Sequence, residues 1–259
     1  MRNVLIIFGV TFMIFSLSIQ QVFAYGWGYK RNNTNDVPEI GRYEQILDGH
    51  RAYYADLSGE KVIYITFDNG YEQGYTSQVL DILKEEEVPA TFFVTGHYVE
   101  QEPELINRMV EEGHIVGNHS YSHPDFTVLS KDRIKDELDR VEQAVAEISN
   151  QKQMQYVRPP RGTFNERTLQ WVDELGYFHI FWSVAFIDWE VNRQKGWQYA
   201  YESIMNRIHP GAIVLLHTVS QDNAEALKKV IQELKRQGYT FKSLDDLIFE
   251  KEFLPNFSF

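Results

Sequence analysis

The sequence predicts an α/β fold, a distorted (β/α) barrel of about seven parallel strands in a single domain. Three observations carry that expectation. From Lys61 onward, short β-type runs alternate with amphipathic helical stretches. Seven such runs occur in one chain, which suits a closed or nearly closed barrel better than an open sheet. Residues suited to chemistry follow directly on five of the runs, as expected where the carboxyl ends of parallel strands open on one face. A doubly wound sheet stands as the alternative, because strand order cannot be read from one sequence.

The chain opens on Met1 and Arg2, followed by an almost unbroken apolar run from Val4 to Ile19 and the small-residue site Val22-Phe23-Ala24. Residues 1–24 are therefore expected to be a secretory signal peptide, cut after Ala24, that places the domain outside the cytoplasm. An uncleaved membrane anchor is the competing reading, the run being slightly short for a bilayer span. Residues 25–60, polar and aromatic with scattered Gly and Asn, are expected to wrap the domain as an N-terminal extension. The domain itself is expected over 61–248, with 249–259 a C-terminal tail. Its strand runs are 62–67, 90–94, 114–118, 156–157, 179–184, 212–217 and 239–243. Amphipathic segments between them include 77–87, 104–113, 131–149 and 223–238.

Composition narrows the function. The 259 residues carry 37 acidic against 25 basic side chains, a formal balance of −12. Loss of the first 24 residues removes only Arg2 and leaves −13. Such a chain repels phosphate, so no nucleic-acid partner is expected. The absence of cysteine excludes disulfides, thiolate metal sites and a cysteine nucleophile. No G-x-S-x-G, P-loop or G-x-G-x-x-G pattern supports a serine hydrolase or a nucleotide site.

The residues at the strand ends are more informative. Asp68-Asn69-Gly70 follows the first run, His119 to His123 the third, Arg158-Pro159-Pro160-Arg161 the fourth, Asp188-Trp189 the fifth, and His217 ends the sixth. Each has an ordinary alternative: Asn-Gly is a strong turn signal, and a histidine after an apolar run is often a core residue. Convergence of all of them on one mouth is what favours chemistry. The spacing of His119 and His123 places two imidazoles on one side of a helical turn, a common metal-binding geometry, although Pro124 would end that turn. Arg158 ahead of two prolines suits holding a carboxylate at fixed distance. Tyr71, Tyr98, Trp182, Phe186, Trp189 and Trp197 are expected in or near the mouth, some as core and others as flat faces for sugar rings. His50, His97, His114, His179 and His209 are taken as structural.

TFDNG (66–70), HSYSH (119–123), RPPRG (158–162), Asp188-Trp189 and LLH (215–217) stand in the order of the motifs of the polysaccharide deacetylase family, carbohydrate esterase family 4, which the chain resembles over roughly 61–248. More narrowly, WGYKR (27–31), TFDNGYE, FWSVAFIDW (181–189) and LLHTVSQDNAEAL (215–227) resemble the delta-lactam-biosynthetic de-N-acetylases of endospore formers. The resemblance implies de-N-acetylation of N-acetylmuramic acid in a peptidoglycan glycan strand, after an amidase has removed the stem peptide, on the way to the muramic δ-lactam of spore cortex. A monomer is expected. By motif position Asp68 is the general base, Arg158 the cation that holds it, His217 the general acid and Asp188 its partner. The backbone N–H of Arg161 would join the oxyanion hole, and Trp189 and Leu215 would receive the acetyl methyl. His119, His123 and residue 69 would hold a divalent, zinc-type metal. Asn69 stands where the family's usual motif has a second aspartate, so the metal is expected to be weakly held. Arg161 stands where relatives commonly place Tyr, and would bind the lactyl carboxylate. Deacetylation of N-acetylglucosamine in peptidoglycan or chitin-like oligomers is the runner-up, and a non-catalytic glycan-binding protein is the reading from another class.

Overall fold

The computed structural model describes residues 23–31 and 34–253, so nearly all of the expected signal peptide lies outside the described residues. The strands are β1 (Tyr25–Gly26), β2 (Ala52–Tyr53), β3 (Val62–Asn69), β4 (Ala90–Val94), β5 (Ile115–Asn118), β6 (Tyr156–Val157), β7 (Thr163–Phe164), β8 (Phe178–Ile180), β9 (Ala212–His217) and β10 (Thr240–Phe241). The α-helices are α1 (Tyr43–Leu47), α2 (Thr76–Glu85), α3 (Gly96–Gln101), α4 (Pro103–Glu111), α5 (Lys131–Ile148), α6 (Glu166–Glu174), α7 (Trp197–Met205), α8 (Gln221–Arg236) and α9 (Leu244–Ile248).

All seven expected strand runs pair in one sheet, and every ladder in it is parallel. β3, β4, β5, β6 and β8 follow one another across the sheet, and β9 lies on the other side of β3. Beyond β8 the chain makes a parallel bridge from Val184 to Val214 in β9, so the curl meets itself there. That single winding decides for the barrel over a doubly wound sheet, whose strand order would reverse at a switch point. β3 occupies the centre: all eight of its residues are buried, so it needs apolar side chains on both faces, and VIYITF provides them.

The helices start where side chains cap them. Ser130, Ser220 and Thr95 accept from backbone N–H groups at the starts of α5, α8 and α3, and Asn165 and Thr168 cap α6 reciprocally. The stretch expected as one helix over 104–113 is observed over Pro103–Glu111, preceded by the separate α3. Glu102 breaks the two apart and Pro103 opens the second, where its missing N–H costs nothing.

The extension does more than wrap. β1 pairs antiparallel with β7, and Ala52–Tyr53 adds an eighth strand, parallel to β8, that periodicity over two residues could not reveal. Trp27 stacks on Phe181 with ring centroids 4.4 Å apart and donates its indole N–H to the carbonyl of Trp182 at 2.9 Å. A Cβ on Gly162 would stand 2.8 Å from the Trp182 ring and 3.1 Å from Trp27, and its φ of +65° is left-handed, so only glycine fits between them. At the other end, Lys251 pairs with the buried Asp56 at 2.7 Å and docks the start of the C-terminal tail. No helix among the described residues is long and apolar enough to cross a membrane. Trp27→Ala should lower the unfolding free energy by about 2 kcal/mol, since Trp27 is half-buried and a core aromatic truncation costs more. Urea denaturation should show a lower midpoint in a single transition.

Candidate active site

The strand-end residues come together. Asp68 and Asn69 still belong to β3 and are not a turn. His119 follows β5 directly, Arg158 follows β6, Asp188 lies in the loop after β8, and His217 ends β9. A cavity of about 390 Å³ is lined by Asp68, His119, His123 and His217, with Tyr71, His97, Tyr121 and Trp189 among its other walls.

Arg158 is completely buried and engages all three guanidinium nitrogens. Nη1 donates to Asp68 Oδ1 at 2.8 Å, Nη2 to Thr66 Oγ1 at 2.9 Å, and Nε to the carbonyl of Ile180 at 2.9 Å. Its Cζ lies 4.2 Å from the Phe93 ring centroid. Burial alone would push the Asp68 carboxyl up, but the Arg158 guanidinium, with His119 and His217 behind it, outweighs burial and holds it below the usual carboxylate range.

His217 is poised the opposite way. Asp188 Oδ1 stands 2.8 Å from His217 Nδ1, and Asp188 Oδ2 accepts the His217 backbone N–H at 2.8 Å. Burial pushes this imidazole down, yet the charge and hydrogen bond of Asp188 prevail and raise it above its ordinary value. The Trp189 ring leans on it at 5.4 Å. One group on the cavity is thus biased toward the ionised form a base needs and another toward the protonated form an acid needs.

His119 and His123 also converge, but not on a helical turn. Residues 119–123 form an irregular loop in which Ser120 and His123 take left-handed φ values of 65° and 56°, and this brings the rings to 4.9 Å. Pro124 and the parallel-strand exit rule out the helix that i, i+4 spacing suggested. Burial lowers His119, and burial with the His119 neighbour pushes His123 down to about 4, so both are neutral at pH 7. His119 Nδ1 lies 2.8 Å from the Arg158 carbonyl, which puts the ring proton there and leaves the Nε2 lone pair facing Asp68 Oδ2 at 3.5 Å. Two lone-pair atoms facing each other suit a cation between them. Asn69 is fully buried, donates to Thr218 Oγ1 at 2.7 Å and leaves Oδ1 without a partner, so a neutral oxygen ligand is on hand. Among the described residues no three His, Cys, Asp or Glu side chains form a metal cluster, so a cation here would depend on that amide oxygen.

Two expectations are corrected. Of the aromatic residues expected near the mouth, Tyr71 and Trp189 line the cavity, both 45% exposed. Tyr98 and Phe186 are buried, Trp182 packs on Gly162 and Arg158, and Trp197 packs under Lys229. Second, His97 is not merely structural: it lines the cavity, three residues beyond β4, a position the strand-end argument already covered. Asn69 and Leu215 are buried, and Leu215 shares the face of β9 that carries His217. Arg161 is exposed with a left-handed φ of 58°, and its charge is felt by His123 and Asp125.

Sequence reasoning missed the residues that seat the acid pair. Asn223 donates to Asp188 Oδ2 and to the His217 carbonyl. Gln194 donates to the Asp188 carbonyl at 3.1 Å and accepts from Ser220 at 2.8 Å, while Asp222 accepts the N–H groups of Lys195 and Gly196. SQDN (220–223) is thereby a clamp at the start of α8 that fixes the Asp188–Trp189 loop. In the sequence this stretch stands only within LLHTVSQDNAEAL as part of the family resemblance, with no role for its polar side chains. Asp188→Asn should lower the His217 titration, since the largest opposition to burial is then removed and the charge of Asp68 is what remains against it. Histidine-resolved NMR titration measures this directly.

Comparison with known proteins agrees with the geometry. The profile of the polysaccharide deacetylase family matches residues 56–180. The chain is 54% identical over 227 residues to the peptidoglycan-N-acetylmuramic acid deacetylase PdaA of Bacillus subtilis, covering 87% of this chain and 86% of that one. It is 36% identical to a chitooligosaccharide deacetylase of Bradyrhizobium, over 76% of this chain and 95% of that one. The solved structure of B. subtilis PdaA, described as a family 4 carbohydrate esterase, superposes with a TM-score of 0.86 at 53% identity, covering 88% of this chain and 98% of that one. The chain belongs to the polysaccharide deacetylase family.

Proposed function

We propose that the protein removes the N-acetyl group of N-acetylmuramic acid in peptidoglycan whose stem peptide an amidase has already taken off. The observation that carries this reading is the pairing of Asp68 with Arg158 and of His217 with Asp188, each at 2.8 Å, with Asp68 and His217 on one cavity. Asp68 takes a proton from water as its oxygen adds to the amide carbon. The backbone N–H of Arg161 supports the resulting oxyanion, and Trp189 and Leu215 receive the acetyl methyl. The C–N bond then breaks as His217 gives its proton to the departing nitrogen, releasing acetate and a free amine. Both groups are in their working forms above the depressed value of Asp68 and below the raised value of His217.

His119, His123 and the Asn69 oxygen would hold a divalent, zinc-type cation. When bound, such an ion supplies Lewis acidity to the amide carbonyl. Asn69 brings no charge, so the ion is held weakly and chelator dialysis removes it. Arg161 is the guanidinium that would pair with the lactyl carboxylate of a peptide-stripped muramic acid. The relatedness to PdaA supports this substrate, and the freed amine can close on that carboxylate to give the muramic δ-lactam of spore cortex. The apolar run 4–19 and the location of peptidoglycan support export, with the protein acting as a monomer.

Acetate release from amidase-treated peptidoglycan and from N-acetylglucosamine oligomers, each with chelator and with added zinc, tests the reading. Acetate from the first substrate alone is expected. Release mainly from the oligomer would make the protein an N-acetylglucosamine deacetylase, and binding without release on either would make it a glycan-binding protein. Asp68→Asn and His217→Ala should each lose at least about a hundredfold in rate. Arg161→Tyr should weaken muramic-acid substrates more than the oligomers; equal losses on both would exclude the role of Arg161 in selecting the lactyl group.

A further inference from the structure

Glu137, on α5, is 2% exposed and has no part in the chemistry above. Its carboxylate accepts two hydrogen bonds from one residue. Ser122 N–H reaches Oε2 and Ser122 Oγ–H reaches Oε1, both at 2.7 Å. Its cationic neighbour, Arg133, stands 3.9 Å off on the exposed side of the helix. Placing a carboxylate out of water is costly, and a surface helix with apolar residues on its buried face has no need of one there.

Ser122 lies between the two left-handed residues of the histidine loop, Ser120 and His123. Non-glycine residues stay in that region only where their surroundings over-determine them. Here α5 provides the surroundings. The Leu138 carbonyl accepts from Asn118 Nδ2 at 2.9 Å, and Arg140 lies 3.4 Å from the Tyr121 ring centroid. Within the loop, Ser120 N–H donates to Asn118 Oδ1 and His123 N–H to Ser120 Oγ, both at 3.0 Å. Glu137 is the member of this set that holds both the backbone and the side chain of the residue between the strained positions.

We infer that Glu137 is a positioning residue of the active site, which through Ser122 holds loop 119–123 in the conformation that sets His119 and His123 together beside Asp68. The inference rests on the proposed deacetylase reading and, for its first readout, on the two histidines as cation ligands. The test is built so that these fail separately.

Cobalt(II) is titrated into the purified protein and followed by visible absorption, and acetate release is measured in parallel. Glu137→Ala removes both bonds to Ser122. Glu137→Gln keeps them, since the amide oxygen accepts from Ser122 N–H and the amide nitrogen donates to Ser122 Oγ. Ser122→Ala removes one. Glu137→Ala should weaken cobalt at least about tenfold, the usual cost of losing a residue that orients ligands. It should also lower kcat while KM stays within about twofold. Glu137→Gln should retain both properties, Ser122→Ala should fall between, and Glu137→Ala with Ser122→Ala should be no worse than Glu137→Ala alone. Normal cobalt binding and turnover in Glu137→Ala would overturn the inference, as would equal damage in Glu137→Gln. If Glu137→Ala does not fold, an unchanged Ser122→Ala overturns it and a weakened one upholds it. If the wild type binds no cobalt, the ligand reading falls and the kcat comparison alone decides Glu137.

Discussion

The buried ion pair of Arg158 and Asp68 is the constraint on which the rest of the site depends. A guanidinium at zero exposure is stable only if its nitrogens find acceptors, and Asp68, Thr66 and the carbonyls of Ile180 and Phe181 engage all three of them. Those partners come from β3, from the end of β8 and from the chain just after it, so the cation joins three parts of the curled sheet at their carboxyl ends. The Arg158 carbonyl in turn engages His119. Removing one partner of such a pair leaves an uncompensated buried charge, typically a loss of about 3–5 kcal/mol. The same interaction that keeps the base ionised therefore also keeps the barrel mouth in shape.

The two loops that carry the remaining chemistry are held from outside the sheet, each by a helix. The N-terminus of α8 fixes the Asp188–Trp189 loop through Ser220, Asp222 and Asn223. The helix α5 fixes the histidine loop through Glu137 and Leu138. A parallel barrel leaves its strand ends open on one face, and long loops there would be mobile without such ties. Rigid seating matters for amide hydrolysis because base, acid and amide must meet within hydrogen-bond reach at once.

The charge balance also has a local side. A chain at −12 is a poor partner for an anionic polymer; Arg158 and His217 are each matched by a carboxylate, Asp68 and Asp188, whereas Arg161 stands exposed and its positive charge reaches His123. Local cations at a concave site act over a few ångströms, whereas the diffuse acidic surface is screened within about a Debye length, ~8 Å at physiological salt.

The barrel, its seven strand runs and the gathering of Asp68, His119, Arg158, Asp188 and His217 were legible in the sequence, because apolar periodicity marks parallel strands and chemistry collects at their carboxyl ends. Four features were decided only by tertiary structure. The two-residue strand Ala52–Tyr53 exists because β8 offers it a free edge, not because two residues carry a pattern. Tyr98 went to the core and His97 to the cavity because α3 turns one inward and the other out, which depends on where that helix docks. His119 and His123 meet through left-handed backbone, a conformation the residues themselves disfavour and α5 imposes. Glu137, Gln194 and Asn223 look like ordinary helix-surface and loop polar residues until folding brings them against residues far away in sequence. Local chemistry and periodicity are written along the chain, whereas a side chain's partner across the fold is fixed only when elements pack.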